Sequence, residues 1–220
     1  MKKTAIILGA SGLTGSIVLE KLLNDDSYDT IKLFSRKRID DLPSKVKQYT
    51  GDLLAIETFK KDFTGDDIFC CIGTTTKKTP NKTAYKAIDY GIPVAAASLA
   101  KANKINTLVV VSSIGANSKS NVFYTRTKGE MERDVLSKKV EYTYILRPSI
   151  IDGNRKEQRL GEKIGLNVFK IFQPLFFGKL KKYKITKAEH IAQAMISLAN
   201  SNTNEIIINS KRIKEIALNK

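Results

Sequence analysis

The sequence predicts an α/β fold, a doubly wound parallel sheet in a single domain, on three observations. Short apolar runs alternate with helical patterns along most of the chain. The first run breaks at a glycine-rich turn, Gly9-Ala10-Ser11-Gly12-Leu13-Thr14-Gly15, that opens a helix. A β-branched, uncharged run from Thr107 to Ser112 lies mid-chain, as a central strand should. Strands alternating with helices mark a parallel sheet covered on both faces. At 220 residues, with no internal repeat, the chain suits one core. Residues 1–146 are expected to form a cofactor-binding core, and 147–220 a substrate-side region with the C-terminal elements.

The elements follow in order. Thr4–Leu8 is an apolar strand ending at glycine, and Ile17, Val18 and Leu22 set a helical pattern behind it. Strands are predicted at Ile31–Ser35, Val46–Thr50 and Asp67–Ile72, and an Ala-rich helix at Thr83–Lys104. After the central strand come a helix from about Asn121 to Ser137 and a sixth strand, Tyr142–Leu146. Right-handed crossovers then give the strand order 3-2-1-4-5-6. Beyond Arg147 the alternation loosens into an Arg- and Glu-rich loop, an apolar stretch, a helix at Ala188–Asn200, a late strand at Glu205–Ile208 and a short basic tail. Ile164, Val168, Ile171 and Leu175 repeat at helical spacing, as a core stripe does or as the roof of a substrate pocket would.

Composition excludes several classes. The opening Met1–Leu8 imitates a bacterial leader, but its apolar run stops at Gly9, short of the roughly 7–15 residues a secretory leader needs. The apolar stretch from Ile164 to Phe177 is broken by Lys170, Gln173 and Pro174, so it does not read as a membrane span. Cys70 and Cys71 are adjacent in a strand and point to opposite faces, which argues against a disulfide and for a reducing compartment, the cytoplasm. A single histidine, His190, reads as a capping or packing residue, and no metal site is expected. The formal charge of +16 is uneven: 17 Lys/Arg against 12 Asp/Glu in residues 1–110, 21 against 10 in residues 111–220. Most of it is scattered lysine, and the densest cluster, Lys179, Lys181, Lys182, Lys184 and Lys187, has only Tyr183 interleaved. The expected partner is therefore a small-molecule substrate, with no nucleic acid and no membrane, and the chain a monomer or homodimer.

In the turn, Gly9 permits a tight bend, Gly12 lets backbone approach a diphosphate, and Gly15 lets helix and strand pack closely. The helix start offers free N–H groups, from Ser11, Leu13 and Thr14 among others, to that anion. A GxxGxxG string departs from the usual GxGxxG spacing, but its place between first strand and first helix identifies a dinucleotide-binding Rossmann turn. Cofactor choice is read at the end of the second strand, where an acid would bind the ribose of NAD. Here stand Ser35-Arg36-Lys37-Arg38, with no acid. Arg36 can hold a 2′-phosphate by two bonds and Ser35 add another, so NADP is predicted in preference to NAD, an ordinary basic loop being the other reading.

The spacing YxxxK occurs at Tyr28/Lys32, Tyr124/Lys128 and Tyr183/Lys187. Tyr28 is expected in a polar turn and Tyr183 in the lysine cluster. Tyr124 and Lys128 stand one turn apart on the helix that follows the central strand, near the carboxyl edge where such sheets bind ligands. A phenol with a pKa near 10 is a poor base. An ammonium about 4 Å away, at an effective dielectric near 20, favours the phenolate by roughly 4 kcal/mol before desolvation. Tyr124 can then exchange a proton with a carbonyl oxygen. Ser113, or failing that Ser112, holds that oxygen, and Lys128 is also within reach of the nicotinamide ribose.

Together with the turn, Phe69-Cys70-Cys71-Ile72-Gly73-Thr74-Thr75, Ser112-Ser113-Ile114-Gly115-Ala116, Tyr124-Thr125-Arg126-Thr127-Lys128-Gly129-Glu130 and Leu146-Arg147-Pro148-Ser149 resemble an atypical short-chain dehydrogenase/reductase. The chain is most similar to the branch of Tat-interacting-protein oxidoreductases and their small bacterial relatives. The resemblance implies a Rossmann domain binding NADP, with Ser113, Tyr124 and Lys128 in the roles above. It also implies cofactor contacts at Asp52 and Leu53 after the third strand and at Gly73 and Thr74 after the fourth. Arg147, Arg155, Arg159 and Glu162 match a stretch lining the substrate side, and a salt-bridged structural loop explains them as well. The function expected is an NADP(H)-dependent oxidoreductase acting on a small carbonyl or alcohol, the alternative being an NADP(H)-binding redox sensor with little turnover. A sugar-nucleotide epimerase is a third reading, for which the chain is short.

Overall fold

A computed structural model describes residues 2–152, 185–201 and 203–219. It opens with β1 (Lys3–Leu8), α1 (Leu13–Leu23), β2 (Tyr28–Ser35) and β3 (Val46–Thr50), followed by a 3-10 segment (Leu53–Phe59) and β4 (Asp67–Cys70). The Ala-rich stretch forms α2 (Lys82–Lys86), a π-turn (Ala87–Gly91) and α3 (Ile92–Ala102). Then come β5 (Thr107–Val111), α4 (Phe123–Ser137), β6 (Tyr142–Arg147), the short β7 (Ile151–Asp152) and β8 (Thr186–Lys187), α5 (Ala188–Ala199), β9 (Ile207–Asn209) and α6 (Ser210–Leu218).

The main sheet has the order β3-β2-β1-β4-β5-β6-β9, and every pairing in it is parallel. The expected six-strand order is present, with β9 added beside β6; β7 and β8 pair separately. Because strand side chains alternate between faces, β1 feeds two cores. Ala5 and Ile7 pack with Val18 and Leu22 of α1 and Ile191 and Met195 of α5. Ile6 and Leu8 pack with Ile92 and Ala96 of α3 and Met131 and Val135 of α4. Cys70 belongs to the second core and Cys71 packs against the first, 3.8 Å from the Met195 sulfur, so the two free thiols do face opposite ways.

Three local readings are corrected. Tyr28 is not in a polar turn: it begins β2, is buried, and its phenol donates to Asp67 at 2.6 Å. A carboxylate buried at the start of β4 needs such donors, and Lys3 adds an ion pair at 3.1 Å. The late strand lies at Ile207–Asn209 instead of Glu205–Ile208. The basic tail is a helix, α6, whose start is capped by the Asn209 side chain accepting from the Lys211 and Arg212 amides and whose Ile213 is buried. His190 lies half-buried in the first turn of α5.

The apolar repeat from Ile164 to Leu175, with Arg155, Arg159, Glu162, Tyr183 and the lysines from Lys179 to Lys184, lies outside the described residues. Among the described residues no helix is long and apolar enough to cross a membrane, and no three His, Cys, Asp or Glu side chains gather as metal ligands do.

Candidate functional site

The parallel sheet brings the ends of β1, β2, β4 and β5 to one edge, and the glycine turn lies there. Gly9 has φ +87°, and a Cβ on it would come within 2.9 Å of the Cys71 carbonyl. A Cβ on Gly15 would sit 2.1 Å from the Gly9 carbonyl oxygen, so α1 can lie this close to the turn only with glycine there. Gly12 differs: it begins α1 in extended conformation, and among the described residues its added Cβ would meet only Gly9 O, at 3.2 Å. The start of α1 has no side-chain cap and no acid in its first turn, leaving a positive pole at an exposed spot beside Ser11 and Gly12. Leu13 is half-buried and Thr14 buried behind it.

Around this pole lie the other expected contacts. Arg36 is exposed just past β2, while the Ser35 hydroxyl donates to the Lys37 carbonyl at 2.6 Å. Asp52 caps the 3-10 segment by accepting from the Leu54 amide at 2.9 Å, with Leu53 buried after it. Gly73 is exposed after β4. The Thr74 amide donates to Asp89 at 2.7 Å.

Ser112 and Ser113 follow β5, and Tyr124 and Lys128 sit on α4, whose flank packs on the π-turn and α3. Lys128 is buried, its Nζ 3.0 Å from Asp89 Oδ1. Burial opposes the charge on Lys128, but Asp89 and then Tyr124 outweigh it and hold the ammonium above the ordinary lysine value. Tyr85, buried on α2, has its phenol pushed up by burial, with Asp89 and Tyr124 adding to it. The two serines differ. The Ser112 hydroxyl donates to Glu132, which also takes two guanidinium nitrogens of Arg147. Among the described residues Ser113, also buried, makes only a long 3.3 Å bond to the Ile114 carbonyl. Arg147 is thus committed to a salt bridge inside the fold.

Sequence reasoning missed Asp89, which meets both Thr74 and Lys128. Nothing in its spacing marks it, because it reads as one polar position in a helical stretch; only the π-turn, which no periodicity shows, aims it inward. A shallow depression of about 430 Å³, lined by Lys2, Leu23, Tyr28 and Lys45, lies at the opposite, amino edge of the sheet and contains none of these groups.

A family profile described as NAD(P)H-binding matches residues 9–171, beginning at the first glycine of the turn. The chain belongs to this NAD(P)H-binding family. Protein HTATIP2 of Rattus norvegicus is 30% identical over 171 residues, covering 76% of this chain and 70% of that protein. The mitochondrial protein FMP52 of Candida albicans is 34% identical over 171 residues and 75% of each chain. The mitochondrial protein FMP52-2 of Scheffersomyces stipitis is 32% identical over 228 residues, 99% of each. The chain is a homologue of these proteins. Their names place the yeast relatives in mitochondria, so the cytoplasmic expectation finds no support among them.

Solved structures agree on the fold. The UDP-glucose 4-epimerase of Thermotoga maritima superposes with a TM-score of 0.71 at 15% identity, over 97% of this chain and 82% of that one. The UDP-glucuronic acid 4-epimerase of Bacillus cereus, in complex with NAD, gives 0.69 at 14% identity, over 94% and 77%. For an NAD(P)H-binding chain, the uncapped start of α1, the space at Gly12 and the exposed guanidinium of Arg36 are groups that suit the phosphates.

Proposed function

We propose that this protein is an NADP(H)-dependent oxidoreductase that interconverts a small carbonyl compound and its alcohol. The observation that carries the reading is a buried lysine ammonium one helical turn from Tyr124, on the same sheet edge as the open start of α1. The amides of Leu13 and Thr14 would hold the diphosphate, with Gly9 and Gly15 fixing the turn, the Gly12 amide donating to the Gly9 carbonyl at 2.9 Å and Ser11 beside it. Arg36 would take the 2′-phosphate; Ser35 can join only after releasing the Lys37 carbonyl. Asp52, Leu53, Gly73, Thr74 and Lys128 would supply further cofactor contacts. When bound, the dinucleotide supplies or accepts the hydride.

The chain's own groups manage the proton. Tyr124 gives its phenolic proton to the carbonyl oxygen during reduction, or takes it from the alcohol during oxidation. Lys128 stabilises the phenolate left behind by charge. Ser113, whose long bond to Ile114 O is easily exchanged, holds the substrate oxygen, whereas Ser112 is occupied by Glu132.

The test is to titrate nicotinamide fluorescence with NADPH and NADH, then screen aldehydes, ketones and quinones for NADPH oxidation. Tyr124→Phe should lower kcat/KM by about 10²–10⁴-fold with NADPH affinity retained. Unchanged turnover in that variant removes Tyr124 from the mechanism, and tight NADPH binding with no turnover on any carbonyl makes the protein a redox sensor.

A further inference from the structure

We propose that Asp89 is a positioning residue of this site, its single carboxylate clamping the Lys128 ammonium and the Thr74 backbone together. The inference rests on the oxidoreductase reading for what Lys128 does, but the clamp itself is a matter of geometry. Asp89 is 1% exposed; Oδ1 lies 3.0 Å from Lys128 Nζ and Oδ2 accepts from the Thr74 amide at 2.7 Å. A buried carboxylate persists only when its oxygens are matched by donors, and here one donor comes from each side of the site. Thr74 belongs to the loop after β4 expected to touch the cofactor, while Lys128 belongs to the helix expected to move the proton. The π-turn Ala87–Gly91 interrupts the run from α2 to α3 where Asp89 must turn inward, and such single turns cluster at functional sites.

Tyr124 from α4 and Cys70 from β4 face Lys128, and Tyr85 from α2 faces Asp89. Glu132, one turn further along α4, is taken by Arg147 and Ser112. Among the described residues, Asp89 is the carboxylate paired with Lys128. It therefore does two things: it keeps a buried lysine charged, and it ties that charge to the position of the cofactor loop.

The test uses the full chain with Asp89→Asn and Asp89→Glu, their folding checked by circular dichroism. Lysine is labelled with ¹³C at Cε, and the Lys128 resonance is assigned by its loss in Lys128→Arg. Asp89→Asn keeps the shape and removes the charge, so burial then dominates and the Lys128 titration should move down by about one pH unit or more. The alkaline limb of the pH profile for NADPH oxidation should move with it. Asp89→Glu keeps the charge and should restore the titration, but its longer reach displaces Thr74 and should weaken NADPH by about tenfold. A Lys128 midpoint unchanged in Asp89→Asn overturns the clamp. If Asp89→Asn does not fold, Asp89→Glu decides: wild-type NADPH affinity in it overturns the clamp. Absence of turnover in the wild-type protein would count against the oxidoreductase reading alone, since the resonance and the affinity need no reaction.

Discussion

Replacing Gly12 with Ala separates ligand recognition from packing within a single turn. A methyl on Gly15 would stand 2.1 Å from the Gly9 carbonyl oxygen and 3.1 Å from the Ala10 Cα, so strand or helix must shift. At a 2.1 Å backbone contact such overpacking falls toward the upper end of about 1–3 kcal/mol, above the roughly 1 kcal/mol that Ala gains over Gly inside a helix. Among the described residues a methyl on Gly12 meets only Gly9 O at 3.2 Å, so the neighbour yields by a few tenths of an ångström. The expense there is that of Ala as a helix cap, on the order of 0.5–1 kcal/mol. For a diphosphate resting against Gly12 the same methyl forces a retreat that breaks at least one bond to a charged oxygen. At about 1.5–3 kcal/mol per bond, NADPH affinity falls about 10- to 150-fold. Fluorescence titration and urea unfolding of both variants read the two effects separately. Gly12→Ala should keep nearly the wild-type midpoint and lose affinity, and Gly15→Ala should lose stability. A Gly12→Ala protein that binds NADPH as tightly as wild type would refute the placement of the diphosphate.

Arg36→Ala should weaken NADPH by about 10- to 150-fold and leave NADH unchanged in the same titration, since only the 2′-phosphate bonds are lost; equal losses for both would remove Arg36 from cofactor choice. Glu132→Ala leaves Ser112 and Arg147 without their carboxylate. Because the Arg147 side chain is 32% exposed, the cost should fall near the lower end of the buried-pair range, about 3 kcal/mol, read as a lower urea midpoint; an unchanged midpoint contradicts it. The Lys128 ammonium is opposed by burial and held above the ordinary lysine value by Asp89 and Tyr124. Its pairing therefore stabilises the fold in full below about pH 10.4 and fades as pH rises through the higher folded value. Urea stabilities of wild type and Asp89→Asn should differ at neutral pH and converge in the alkaline range, and a constant gap would refute the sign.

Periodicity carried the sheet because β1 and β5 are apolar on both faces and each is followed by a helical pattern, so the order β3-β2-β1-β4-β5-β6 was readable without any contact in hand. The helix α6 was not, since its apolar stripe is short and its lysines dominate; Asn209 before Ser210, with Ile213 following, was the available sign of a capped start. Tyr28 was misplaced because the donor it supplies answers a carboxylate, Asp67, brought beside it by strand pairing. The same reason hid the two ion pairs of the site. Lys128 and Glu132 are legible as residues of one helix, but their partners Asp89 and Arg147 arrive from a π-turn and from the end of β6. The sequence places Ser113 ahead of Ser112, but that Glu132 occupies the Ser112 hydroxyl shows only in the fold.

The most direct test of the account is a crystal structure of the chain grown with saturating NADP⁺. The diphosphate should lie within hydrogen-bond distance of the Leu13 and Thr14 amides, with the 2′-phosphate at Arg36 and the nicotinamide ring beside Tyr124. A dinucleotide bound at any other place on the protein, with the start of α1 left to solvent, would contradict it.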